Sequence, residues 1–286
     1  MTIYKAPVED YQFLFYEVFD VIDLCQRLGY DQVDRELMDS FSEQWADFVT
    51  TVWKPTNLDG DKIGAKLIDG EVIMPPGFKD AWQQTVESGW LPLVCKEEHG
   101  GMDMPLFFRN CMDEFAISSN MALAVIAALS LGVYELIEKH AEEKLVDRYA
   151  ALVASGKWCG TMCLTEPHCG TDLGLIKTKA IPNDDGSFSI TGTKIFITAA
   201  DHDMAENIVH MVLAKLPNAP EGSKGISLFL VPKYLDEGGG IATENNGTSI
   251  SGIEEKMGLH GSPTCVLNFD ISKGWLVGPE NKGMSL

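Results

Sequence analysis

Arginine is missing from the whole stretch 157–286, where every basic side chain apart from histidine is a lysine. The chain carries a net charge of −20, with most of the acid excess in its first 156 residues. A surface this acidic repels a phosphate backbone, so nucleic-acid binding is not expected. Any phosphorylated ligand of the second half would be held by backbone N–H groups, hydroxyls and lysines. Long apolar runs are scarce as well. Met121–Val133 is the longest, contains Ser130 and Gly132, and reads as a buried helix rather than a transmembrane segment. The start, MTIYKAPVEDYQF, lacks a basic head and apolar core, so no secretory signal is expected. Seven scattered cysteines do not form a disulfide framework and fit a reducing, cytoplasmic setting. Nucleotide devices are missing too. There is no GxGxxG after a strand, no GxxxxGK[ST] and no HExxH.

What is present divides near residue 157. Before it, apolar residues follow helical spacing: Met38, Phe41, Trp45, Phe48 and Val52 on one face, then Leu106, Phe107, Cys111 and Phe115 after Pro105. Asn57–Gly77, rich in Gly, Asp and Pro, reads as irregular. After Lys157 the chain reads as short strands with turns between them. Cys159–Leu164, Ser187–Ile190, Lys194–Thr198, Ile208–Leu213, Ile226–Val231 and Thr264–Phe269 are the candidates, with Asp184-Asp185-Gly186 and Thr191-Gly192 as turns. The expected fold class is α+β: an all-helical domain over 1–156, then an antiparallel β-sandwich or barrel-like domain over 157–280.

Two stretches could carry chemistry. In Met162-Cys163-Leu164-Thr165-Glu166-Pro167-His168-Cys169-Gly170-Thr171-Asp172, a strand ends, Pro167 breaks it, and Gly170 permits a tight turn. Such a loop either cradles a ring edge and a pyrophosphate with its N–H groups and hydroxyls, or is a plain polar hairpin. In Gly192-Thr193-Lys194-Ile195-Phe196-Ile197-Thr198, strand alternation puts Phe196 and Thr198 on one face. An aromatic beside a hydroxyl suits a planar heterocycle, and it equally suits an ordinary half-buried strand. Cys159, Cys163, His168 and Cys169 lack the compact spacing of a zinc site, so no metal is expected. Asp201-His202-Asp203 reads as a solvated turn.

TEPHCGTD followed by GTKIFIT resembles the paired flavin signature of the acyl-CoA dehydrogenase family. EEKMGLHGSPTCVLNFD at 254–270 and GWLVGPENKGM at 274–284 resemble its next two blocks in the same order. The resemblance extends over the chain and is strongest to the extended-chain subgroup, which includes enzymes of 3-methylthiopropionyl-CoA. It implies FAD as cofactor, an acyl-CoA substrate, an electron-transfer flavoprotein as electron acceptor and a homo-oligomer. By the same resemblance Leu164 and Thr165 meet the flavin ring, and Gly170 and Thr171 approach the pyrophosphate, Thr171 also meeting substrate. Phe196 packs on the isoalloxazine and Thr198 bonds near N5. Met162 stands where many relatives have an aromatic, and His260 where an arginine is common. The family's catalytic glutamate lies in a C-terminal helical domain. On this reading that domain would only begin at 281–286, the base lies beyond Leu286, and the chain alone is inactive. The rival is a non-catalytic binding module that keeps the fold without the chemistry.

Overall fold

The computed structural model describes residues 4–236 and 242–286. Seven α-helices come first among these: α1 (Val8–Phe13), α2 (Val21–Arg27), α3 (Arg35–Phe48), α4 (Lys54–Ile63), α5 (Phe78–Ser88), α6 (Leu106–His140) and α7 (Glu143–Ala154). A hairpin, β1 (Lys66–Ile68) and β2 (Glu71–Ile73), separates α4 from α5. The region expected to be irregular is therefore ordered. Pro55 follows a π-helical turn, Val49–Trp53, which accommodates the missing N–H where α4 begins. Asp69 and Gly70 both take positive φ, the two-residue turn that an Asp-Gly pair favours between strands.

Helix α6 is two helices joined end to end. Asn120 has non-helical angles, and its side-chain oxygen accepts the N–H of Leu123, capping the second half. Its amide also donates to Thr56 on α4. By length and composition α6 is apolar enough to cross a membrane. In the fold, however, Leu123, Ile126, Val133 and Ile137 are buried against other elements, the place of a core helix. The small polar residues that interrupt its apolar run, Ser119, Asn120 and Ser130, are buried and hydrogen-bonded.

From Trp158 onward the described elements are strands and short 3₁₀ turns: β3 (Trp158–Cys163), β4 (Lys179–Pro182), β5 (Phe188–Thr198), β6 (Asn207–Lys215), β7 (Ile226–Pro232), β8 (Tyr234–Asp236), β9 (Ala242–Asn245), β10 (Thr248–Glu254) and β11 (Thr264–Val277). Strands β11, β5, β4, β6 and β7 pair in a ring, because β7 joins both β6 and β11. The ring is narrowest where β4 meets β6 at the single pair Lys179↔Lys215. Pairing is antiparallel except at β4–β6 and at β3, which lies parallel to β6. The two strands expected around Thr191-Gly192 are one, β5. Gly192 is needed there for space, since a Cβ would lie 2.4 Å from Thr178 Oγ1.

The helical and β portions are clamped together. Asp201 and Asp203 accept the backbone N–H groups of Val72 (3.2 Å) and Met74 (3.0 Å), and the Ala65 N–H donates to the His260 carbonyl. Asp201 also pairs with Lys233 at 2.5 Å. The Asp201-His202-Asp203 segment is thus no solvated turn: Asp201 and His202 are buried because the β1–β2 hairpin covers them. His260 pairs through Nδ1 with Asp61 on α4 at 2.9 Å. On the other side, β3 meets α6 so closely that a Cβ on Gly160 would lie 2.5 Å from Val133 Cβ.

Candidate functional site

The loop after β3 folds on a two-residue turn. Glu166 N–H donates to the Cys169 carbonyl at 2.9 Å and Cys169 N–H to the Glu166 carbonyl at 3.0 Å, which places Pro167 and His168 at the tip. The tight turn is therefore made by Pro167-His168. Gly170 has no positive φ and lies against Thr165, whose Cγ2 a Cβ at 170 would meet at 3.4 Å. Thr171 is exposed, and Asp172 accepts the Gly174 N–H at 3.0 Å.

This loop and the strand before it are stitched to the end of β5 by four hydrogen bonds. Thr161 Oγ1 donates to the Thr198 carbonyl at 2.6 Å, and Ile195 N–H to the Thr165 carbonyl at 2.9 Å. Lys194 Nζ donates to the Leu164 carbonyl at 3.0 Å and to Glu166 Oε1 at 2.9 Å. The two stretches picked from the sequence are thereby joined side by side.

Strand β5 carries a bulge at this junction. Lys194 pairs with Leu267 and Ile197 with Cys265, so Ile195 and Phe196 together oppose Val266. Phe196 takes φ +59, a left-handed conformation unusual for an aromatic, and its side chain is 49% exposed. Ile197 points inward, and Thr198 sits half-buried on the outer side with Phe196. The hydroxyls of Thr165, Thr171 and Thr198 have no hydrogen-bond partner among the described residues, and neither does the N–H of Thr165. An exposed aromatic, three open hydroxyls and a free N–H on adjoining segments are a donor set that fits a flat, polar-edged ring with an acidic tail.

Leu164 is half-buried against the core under β3. Met162 lies further along β3, facing an apolar groove of about 400 Å³ lined by Ile117, Val125, Leu129 and Leu136 of α6. The structure thus sets Met162 beside α6, next along β3 to Thr161, which bonds the Thr198 carbonyl.

Glu166 is buried and committed. It accepts Lys177 N–H at 2.7 Å, Thr178 N–H at 3.0 Å, Thr178 Oγ1 at 2.6 Å and Lys194 Nζ. Burial acts to raise its pKa, but Lys194 and these donors hold the carboxyl below its ordinary range. It also lies with His168 and Cys169 in a group whose possible metal-ligating atoms are within 4.8 Å of one another. Lys194 already neutralises its charge, and His168 Nε2 bonds the Leu175 carbonyl at 2.9 Å, so the group is a poor cation site. Cys159 and Cys163, once weighed as ligands, are separately buried thiols whose pKa burial pushes up to about 12.

Sequence reading missed Lys194. The signal was available: Ile190, Gly192 and Lys194 keep strand alternation, so an inward lysine demanded a carboxylate partner.

Residues 161–271 match the acyl-CoA dehydrogenase middle domain. The 3-methylmercaptopropionyl-CoA dehydrogenase of Ruegeria pomeroyi is 37% identical over 281 residues, 98% of this chain and 48% of the relative. A butyryl-CoA dehydrogenase of Syntrophomonas wolfei is 36% identical over 284 residues, 96% of this chain and 46% of the relative. Among solved structures, the acyl-CoA dehydrogenase of Bacillus anthracis, complexed with FAD, superposes with a TM-score of 0.69 at 23% identity, covering 89% of this chain and 39% of that one. The chain spans about half the length of the curated relatives it matches. In sequence and in fold, with a helical portion followed by the middle β-domain, it belongs to the acyl-CoA dehydrogenase family.

Proposed function

We propose that this chain supplies the FAD-binding and part of the acyl-CoA-binding surface of an acyl-CoA dehydrogenase that introduces an α,β double bond into a thioester. The observation that carries the reading is the bulged end of β5, where Phe196 is exposed beside the open hydroxyls of Thr198 and Thr165. When bound, FAD supplies the hydride acceptor. The residues of this chain supply position. Leu164 and Thr165 hold the ring edge, Phe196 covers its face, Thr198 donates near the reacting atom, and Gly170 and Thr171 approach the pyrophosphate. With no arginine after residue 148, those phosphate contacts fall to backbone N–H groups, hydroxyls and lysines, and FAD binds weakly to this chain by itself.

The groove beside Met162 offers an apolar bed for the aliphatic part of a thioester, and Thr171 is the substrate contact. The relatives are named for 3-methylmercaptopropionyl-CoA and butyryl-CoA, and short acyl-CoA thioesters are the proposed substrates. An electron-transfer flavoprotein and a homo-oligomer complete the proposal. The two domains meet near residue 157. Glu166 is taken by four donors, Asp113 on the groove pairs with Arg109 at 2.6 Å, and Asp172 is exposed and accepts the Gly174 N–H. By the family resemblance the base lies outside residues 1–286, which alone are proposed not to turn over. The test is an anaerobic assay with an artificial electron acceptor, butyryl-CoA and 3-methylmercaptopropionyl-CoA, with FAD present. The full-length enzyme containing this chain oxidises at least one thioester, and the 286-residue chain oxidises neither. An FAD-loaded full-length enzyme inert to both would sink the substrate assignment, and turnover by the short chain would reveal a base within it.

A further inference from the structure

Lys194 is fully buried at an inward position of β5, and its ammonium touches two groups of the candidate loop: Glu166 Oε1 and the carbonyl oxygen of Leu164. Burial lowers its pKa and Glu166 opposes that. With the Glu166 carboxylate receiving four donors, the pair is an ammonium–carboxylate pair. A buried pair of this kind adds little stability over apolar side chains of the same size. Stability alone therefore gives a weak reason for it.

The second contact supplies a better one. The Leu164 carbonyl and the Thr165 N–H belong to the same planar peptide unit. A cation on the oxygen draws electron density across that unit and strengthens the N–H as a donor. Thr165 N–H has no partner among the described residues and lies on the segment stitched to Phe196 and Thr198. We propose that Lys194 is a positioning residue: it fixes and polarises the Leu164–Thr165 peptide, so that Thr165 N–H is presented as a strengthened donor to the electron-rich edge of the flavin ring. The inference rests on the flavin reading and goes beyond it, because it assigns a buried side chain that cannot touch the ring the task of tuning the group that does. A strengthened donor favours the reduced, more electron-rich flavin, so the flavin potential rises with it.

The test compares the wild-type chain with Lys194→Met/Glu166→Gln, Lys194→Gln and Glu166→Gln. FAD affinity is read by quenching of flavin fluorescence, the midpoint potential by dye equilibration, and folding by thermal melting. The double variant removes both buried charges, so its melting temperature returns close to wild type. Its FAD affinity nonetheless falls at least tenfold and its potential becomes more negative. Lys194→Gln, which keeps a neutral donor but leaves Glu166 without its cation and so melts lower, shows the same lower potential. Glu166→Gln keeps Lys194 Nζ on the Leu164 carbonyl but removes the carboxylate that opposes the lowering of the lysine's pKa; read at the acidic end of the chain's stable pH range, where Lys194 stays an ammonium, it remains within about threefold of wild type in affinity. Wild-type affinity and potential in the double variant, or in Lys194→Gln, would overturn the assignment, as would a Glu166→Gln loss as large as that of the double variant. A wild-type chain that takes up no FAD would overturn the flavin reading itself and this inference with it.

Discussion

The hydroxyl of Thr161 on β3 donates to the carbonyl oxygen of Thr198 on β5 at 2.6 Å, across two strands that share no ladder. Thr161 is buried, so the bond has no competing water. Thr161→Val keeps the shape and strands the carbonyl. It should cost about 1–3 kcal/mol in urea unfolding and weaken FAD binding. Thr161→Ser, which keeps the donor, should lose less than half as much. Equal losses in the two variants would mean that packing, not the bond, ties the strands.

Phe196 is held at φ +59 with half of its side chain exposed. Left-handed backbone costs a bulky residue about 1–2 kcal/mol, whereas asparagine tolerates it. Strain of this kind collects at functional sites. Phe196→Asn should therefore stabilise the chain by about 1 kcal/mol while lowering FAD affinity at least tenfold. Loss of stability together with unchanged FAD affinity would make Phe196 a structural residue.

The contact between α6 and β3 leaves no room at Gly160. Gly160→Ala should destabilise by about 1–3 kcal/mol, because Val133 lies in the way. Adding Val133→Ala should then cost less than it does in the wild type. The double-mutant cycle measures this coupling, and strict additivity would show that the helix shifts freely on the sheet.

Acid should unfold this chain early. Burial, aided by Lys233, takes His202 from an ordinary pKa of 6.5 to about 4, against the pull of Asp201 and Asp203. Burial takes His210 to about 3, with Lys233 and His202 acting the same way. Both imidazoles are neutral in the fold, while the unfolded chain gains protons below pH 6.5. Their neutral state therefore confers full stability above pH 6.5, and the contribution is lost as pH falls towards 4 and then 3. Glu166, lowered in pKa, adds to the same slope below about 4.5. Both ring nitrogens of His210 lack a partner among the described residues, and its ring meets Phe269 edge-on. His210→Leu should gain about 2 kcal/mol at pH 5 and flatten the slope between pH 6.5 and 4. An unchanged slope in urea melts at the two pH values would show that His210 does not titrate as the fold implies.

Much of this was legible in the sequence, for stated reasons. The strands of the ring are rich in Val, Ile and Phe between turn residues, and their existence could be read directly. The TEPHCGTD and GTKIFIT stretches were visible, and the fold joins them. What could not be read were relations between distant residues. A parallel neighbour for β3 depends on β6, about fifty residues further along the chain. Asp201 and Asp203 look like surface acids until a hairpin from residue 66 onward covers them. Pro55 and Gly60 disguised a helix, yet Gly60 is small because a Cβ would lie 2.4 Å from the Phe78 ring. Asp69-Gly70 was a readable hairpin turn that the surrounding glycines and prolines obscured. The bulge at Phe196 breaks the alternation from which its direction was read. Phe196 and Thr198 still share the outer side, because the extra residue is inserted before Ile197.

The central claim is that the bulged end of β5 and the loop after β3 form one flavin-binding edge. Titration of FAD into the 286-residue chain, followed by the flavin's visible absorption and fluorescence, tests it most directly when repeated with Thr198→Ala and Phe196→Ala. The account predicts measurable but weak binding by the wild type, and at least a tenfold loss in each variant with melting temperature unchanged or higher. Equal FAD binding by all three proteins, or no spectral change with any of them, would contradict it.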